Sequence, residues 1–219
     1  MIKLRLSALV LILSTVQFGW ADAAKHFQIL STTNVHGEID PCGWKKKPLG
    51  GLARKATIIE ESKEKGLPTF ILDAGNLFFA KDKVLPGTPA ENAIVYSDII
   101  LNSFNKMGCD AITLGSKDFG SGLEKLKALE DGADFPFISA NIQDSFGANI
   151  FESYKIIRKN DINLGVIGLS SVFLNDELRV SDPLPILESL VDEVASKSDF
   201  VVLLFHANDQ DITSVKNSG

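Results

Sequence analysis

The sequence predicts an α/β fold, a mostly parallel sheet layered with helices on its outer faces, from three observations. Short β-rich runs alternate with longer segments of helical period, polar or glycine-bearing stretches follow four of the apolar runs, and no repeat or low-complexity tract breaks the pattern. Composition agrees, because 219 residues with 45% hydrophobic and 23% charged side chains describe a folded chain rather than a disordered or fibrous one.

The N-terminus reads as an export signal over residues 1–23. Lys3 and Arg5 head an apolar-rich run from Leu6 to Phe18, and Ala21-Asp22-Ala23 offers the small residues that a signal peptidase accepts. A run of about 13 residues is too short to span a bilayer. The alternative, an uncleaved anchor, is opposed by Gln17, Gly19 and Asp22, which interrupt any extension of the run. The expectation is a periplasmic or extracellular protein with no stable membrane span, and residues 24–219 as one domain.

Within that domain Phe27–Thr32 reads as a strand, and Gly51–Lys65 as a helix with Leu52, Ala56 and Ile59 on one face, stopped by Gly66-Leu67-Pro68. Thr69–Leu72 is the second strand. A loop rich in Pro and Gly leads to a helix over Glu91–Met107, ended by Gly108, and then to a strand at Ala111–Leu114. A helix over Gly122–Glu130 and a strand at Pro136–Ala140 follow. Tyr154–Arg158 and Asn163–Gly168 flank a polar turn and predict an antiparallel hairpin. A helix over Leu184–Lys197 leads into Phe200–Phe205, an apolar run that predicts a strand buried on both faces.

A net charge of −6 and a pI near 5.1, with Lys45-Lys46-Lys47 the one basic run, exclude nucleic acid as a partner class. Two cysteines exclude a disulfide scaffold. Cys42 lies in a Pro-Cys-Gly turn and Cys109 at the entry to a strand. A bridge between them would need Cα atoms about 4.4–6.8 Å apart, which sequence leaves open.

In open α/β sheets reactive loops lie beyond the carboxyl ends of parallel strands. Four segments occupy such positions: Thr33–Gly37, Asp73–Asn76, Gly115–Asp118 and His206–Asp209. Singly each reads as a capped turn; together, in step with four strands, they mark a candidate site. Asp73 reads as a cap on the loop after its strand, and Phe78-Phe79 as a pair packed inward.

On these residues the chain resembles the calcineurin-like metallophosphatases, in particular the exported 5′-nucleotidase branch that includes UDP-sugar hydrolases. The resemblance runs through Ile29–Gly37, Gly50–Ala56, Leu72–Asn76, Asn105–Gly115, Phe137–Ile142 and Asp199–His206. It implies the metallophosphatase fold, truncated at the C-terminus, and a site built for two divalent metals such as manganese or zinc, which clamp a phosphate oxygen and activate a water. Carried over position by position, the first-motif aspartate is Asn34 and its histidine is His36. The bridging aspartate is Asn76, the asparagine ligand is Ser116, the catalytic histidine is Lys117 and the acidic residue after it is Asp118. His206 matches the fourth motif, and the paired histidines of the fifth have no counterpart.

These replacements weigh heavily. Two +2 ions 4 Å apart repel by about 17 kcal/mol even at an effective dielectric of 20. Neutral Asn34 and Asn76 remove the carboxylates that offset that repulsion, and the Lys117 ammonium adds positive charge where a cation should sit. The resemblance therefore implies a 5′-nucleotidase-like domain that is degenerate and non-catalytic, with no cofactor expected as written. Lys117, helped by Asn34, Asn76 and Ser116, and with Asn141 as a further ligand-binding candidate, could hold a phosphate or nucleotide-like anion. The alternative is a weakly active metal-dependent phosphoester hydrolase acting on nucleotides. A complementing C-terminal polypeptide is the remaining partner expected.

Overall fold

A computed structural model of the chain describes residues 25–41 and 49–218. The export signal, the Cys42 half of any disulfide and the Lys45–Lys47 run lie outside the described residues. The elements are β1 (Gln28–Thr32), α1 (Leu52–Lys63), β2 (Thr69–Asp73), α2 (Thr88–Met107), β3 (Ala111–Ile112) and, after a 3₁₀ turn over Ser116–Phe119, α3 (Leu123–Asp131). They continue as β4 (Ile142–Gln143), β5 (Tyr154–Lys159), β6 (Ile162–Ser170), β7 (Arg179–Val180), α4 (Pro183–Ala195), β8 (Phe200–His206) and α5 (Asp209–Ser218).

The strands divide into two stacked sheets. The first is parallel, in the order β1-β2-β3; the second is β5-β6-β8, with β5 antiparallel and β8 parallel to β6. β4 and β7 form a small antiparallel pair. All five residues of β2 are buried, because Phe70 and Leu72 face the second sheet while Ile71 faces the helices. Between the sheets these two meet Ile162, Leu164 and Val166 of β6 and Leu204 of β8. Emptying the Phe70 position would cost about 3–5 kcal/mol.

Helices cover the outer faces, as the alternation predicted. α2 buries Ser97, Ile100, Leu101, Phe104 and Met107, a stripe at three- and four-residue spacing. Gly108 ends it in the left-handed region (φ 74°), with its N–H on Asn105 and that of Cys109 on Phe104. α2 begins at Thr88, three residues before the sequence expectation, because Pro89 sits in the first turn, where its missing N–H costs nothing. On the opposite face Val194, Ile186, Leu187 and Leu190 of α4 pack on Ile167 and Leu169 of β6.

Two expectations are corrected. Pro136–Ala140 is not a strand. Ile138 N–H bonds to Ile112 of the first sheet, whereas Ala140 N–H bonds to Gly168 of the second and Ser139 N–H to Glu152, two residues before β5, so the segment crosses between layers instead of joining one. Gly168 accommodates that crossing, since a Cβ there would lie 2.3 Å from the Ile138 carbonyl oxygen. Phe200–Phe205 is a strand but is not buried on both faces. Among the described residues β8 is an edge that pairs with β6 alone, and Phe200 and Val201 are 39% and 36% exposed. Cys109 is a buried thiol whose Sγ faces the carbonyls of Ile71 and Ala111.

Candidate functional site

The loops leaving β1 and β2 run side by side. Asn34 N–H bonds to the Gly75 carbonyl (2.9 Å), His36 N–H to Asn76 (2.8 Å) and Gly37 N–H to Leu77 (3.0 Å). Asn34, His36 and Asn76 all hold left-handed backbone, at φ 55°, 57° and 55°. Asparagine tolerates that region, histidine less so, and such strain concentrates at functional sites. The one other non-glycine residue in this region among those described is Asn160, in the β5–β6 turn.

Asp118 fixes the loops. It is fully buried, and its two carboxylate oxygens accept four backbone N–H groups: Asn76 (2.7 Å) and Gly115 (2.9 Å) on Oδ2, Leu77 (2.7 Å) and Phe78 (3.0 Å) on Oδ1. Burial holds its pKa above the ordinary carboxylate value, although these four donors pull it down. Both oxygens meet only N–H groups, leaving no place for a proton, and the group is held as a carboxylate. Phe78 and Phe79, each 1% exposed, anchor the same loop inward, as the sequence predicted. Asp73 caps its loop by accepting Gly75 N–H at 3.0 Å.

Side chains at the substituted positions contact one another. Lys117 N–H donates to Asn76 Oδ1 (3.0 Å), Asn76 Nδ2 to Asn34 Oδ1 (3.1 Å), and His36 Nε2 lies 2.9 Å from the same Asn34 oxygen. The series has one consistent reading. A backbone N–H can only donate, which orients the Asn76 amide; that amide orients Asn34; and Asn34 then presents an oxygen to His36, whose Nε2 must carry the proton. Lys117 Nζ stands 3.2 Å from that same Nε2. Two donors thus face each other with no acceptor between them. Burial, then the charges of Lys117 and His206, hold the His36 pKa below its ordinary value.

The remaining expected residues fall differently. His206 belongs to the cluster's wall: Nδ1 lies 2.8 Å from the Ala74 carbonyl oxygen and the ring packs over Gly115, where a Cβ would sit 2.6 Å from His206 Cδ2 and 2.3 Å from Asn76 Oδ1. Ser116 turns away, its hydroxyl donating to Asp82. Asn141 does not join the cluster. It is fully buried, with Nδ2 on the carbonyls of Ser170 (2.6 Å) and Ser181 (2.8 Å) and Oδ1 accepting Ser170 N–H (3.0 Å). A cavity of about 510 Å³ opens beside Asn34 and His36 and extends to Thr32 and Lys55. Sequence reasoning missed Lys55, a lysine on the inward side of α1. It donates to Thr32 Oγ1 (2.7 Å), which donates to Asp73 Oδ2 (2.5 Å).

As arranged, these donors do not fit two divalent ions. Both lone pairs of Asn34 Oδ1 are engaged, one of Asn76 Oδ1 is, His36 Nε2 carries a proton, and an ammonium stands 3.2 Å from that nitrogen. Among the described residues no three His, Cys, Asp or Glu side chains group in a way that could hold a metal.

No protein-family model matches the chain. The trifunctional nucleotide phosphoesterase YfkN of Bacillus subtilis is 31% identical over 152 residues, 63% of this chain and 10% of that protein. A 5′-nucleotidase of Vibrio parahaemolyticus is 28% identical over 169 residues, 74% of this chain and 28% of that one. The crystal structure of the calcineurin-like phosphoesterase YfkN superposes with a TM-score of 0.67 at 26% identity, over 82% of this chain and 61% of the solved one. The chain thus spans under a third of the length of these curated relatives.

Proposed function

Because the chain belongs to the 5′-nucleotidase branch of the calcineurin-like phosphoesterases, we propose that it is a non-catalytic member whose strand-end cluster binds a phosphate-like oxyanion without hydrolysing it. One observation carries this reading: the Lys117 ammonium, 3.2 Å from a His36 Nε2–H that already donates to Asn34 Oδ1, meets no acceptor among the described side chains, and an anion's oxygen would supply one. No bound metal is required. The branch's hydrolytic chemistry rests on metal-held oxygens, and at the substituted positions this chain offers N–H donors and amides whose oxygens are already engaged.

Two further features belong to the same reading. The signal-like residues 1–23 direct the chain out of the cytoplasm. The open edge of β8 is where a complementing polypeptide would pair.

The test is calorimetric titration of the metal-free protein with inorganic phosphate, alongside a phosphoester assay with manganese or zinc. Phosphate binding that weakens at least about tenfold in Lys117→Met, the loss of one charge-assisted hydrogen bond, is expected, with no metal-dependent turnover. Turnover that requires added metal and His36 would instead establish the hydrolase.

A further inference from the structure

The strand-end cluster carries acceptors as well as donors. His206 Nδ1 lies 2.8 Å from the Ala74 carbonyl oxygen, which can only accept, so Nδ1 holds the ring proton and Nε2 of the neutral imidazole presents a lone pair. Among the described residues nothing donates to that nitrogen. Asn76 Oδ1 takes Lys117 N–H with one lone pair and has a second to spare. The two acceptors are neighbours: a Cβ placed on Gly115 would lie 2.3 Å from Asn76 Oδ1 and 2.6 Å from His206 Cδ2, the ring carbon bonded to Nε2. The donor end lies beside them, since one side-chain hydrogen bond of 3.1 Å joins Asn76 to Asn34, and the charges of His206 and Glu38 both act on His36.

We propose that the cluster selects a tetrahedral oxyanion that carries a proton, hydrogen phosphate, over sulfate and other oxyanions of equal charge that carry none. The proposal rests on the oxyanion reading above and narrows it. Lys117 Nζ, His36 Nε2–H and the Asn34 Nδ2–H groups serve the oxygens of either anion equally, and Glu38 and Asp118 repel either equally, so none of these discriminates. His206 and Asn76 do. The imidazole nitrogen, the more basic of the two acceptors, takes the P–O–H proton of hydrogen phosphate. Against sulfate, His206 Nε2 and Asn76 Oδ1 both set lone pairs toward an anionic oxygen, in a half-buried wall where an unmatched polar contact is costly.

The experiment is calorimetric titration of the metal-free mature chain at pH 8 with inorganic phosphate, sulfate and monofluorophosphate, all dianions there, of which phosphate alone carries a proton. Phosphate is expected to bind at least about tenfold more tightly than the other two, the value of one hydrogen bond to a charged group. Lys117→Met should weaken phosphate and sulfate by the same factor, whereas His206→Phe should weaken phosphate more than sulfate. In the ¹⁵N spectrum of the histidine rings, phosphate should move the His206 Nε2 signal and sulfate should not, a change that a ring serving only to pack over Gly115 would not show. Equal affinity for the three dianions, a phosphate preference unaltered in His206→Phe, or a His206 Nε2 signal indifferent to phosphate would each overturn the selectivity and leave oxyanion binding in place. Failure of both phosphate and sulfate to bind, or binding indifferent to Lys117, would overturn the oxyanion reading and this proposal with it.

Discussion

Lys117 Nζ lies 3.2 Å from His36 Nε2, a nitrogen that the Asn34–Asn76 amide pair holds in its protonated form. The contact sets two cationic or donor groups against each other and is expected to resolve when an anion enters. It makes His36 a reporter. Because burial comes first and the Lys117 charge second among the causes that lower its pKa, Lys117→Met should move the His36 titration upward toward the ordinary histidine value. Phosphate added to the wild type should move it in the same direction. Histidine ring signals followed by NMR across pH 5–8 check both, and a His36 midpoint indifferent to Lys117 would refute the coupling.

How much of this was legible beforehand differs by level. The β-run and helix alternation gave the layers, and the four strand-end segments gave the cluster, because residue type and position along a parallel strand suffice to place them. The split into two sheets was not legible. It depends on Ile138 and Ala140 bonding to different layers, and no local pattern encodes that. Nor could sequence separate Asn141, spent on Ser170 and Ser181, from Asn34 and Asn76, since an asparagine after an apolar run looks alike in both roles. β8 misled because apolar residues at a sheet edge read the same as apolar residues in its centre.

Asp118 should matter more to the fold than its single charge suggests. Asp118→Ala strands four N–H donors in a buried nest, and the expected destabilisation is at least about 3 kcal/mol. Asp118→Asn should fare little better, since its amide nitrogen would meet two of those N–H groups. Urea unfolding of the three proteins measures the difference.

Asp73 should make stability depend on pH. Burial is the leading cause and raises its pKa to about 7 despite Lys55, Thr32 and Gly75. A folded-state value above the unfolded one means that the folded chain holds the proton more tightly. The stabilising contribution is therefore complete below about pH 4 and is lost as pH rises through about 7, a change of about 4 kcal/mol once ionised. Unfolding free energy should fall between about pH 4 and 7 and level off above, and Asp73→Asn should flatten that slope.

Gly115 tests whether the cluster's geometry, beyond its composition, holds the anion. A Cβ at 115 would lie 2.3 Å from Asn76 Oδ1 and 2.6 Å from His206 Cδ2, so Gly115→Ala must displace the amide that orients Asn34 and His36. Phosphate affinity should drop by about tenfold, the value of one well-placed charge-assisted bond, while far-UV circular dichroism stays unchanged. Unaltered affinity would show that Lys117 alone accounts for binding.

Restoring carboxylates at the two asparagine positions should reverse the sign of the site. Asn34→Asp with Asn76→Asp removes the Asn76 Nδ2 donor and sets two carboxylates about where the amides now meet, at 3.1 Å. Like charges that close cannot both ionise freely, and a loss of about 2 kcal/mol relative to the parent is expected in chelator. Manganese should then raise the melting temperature of the double variant, because a cation relieves the repulsion, and leave the parent unmoved, because its amides and Lys117 offer a cation no charge. Thermal unfolding with manganese and with EDTA decides it. Equal stabilisation of both proteins would mean that Asn34, His36 and Asn76 can give up their mutual hydrogen bonds for a metal, and the donor-rich reading of the site would fail.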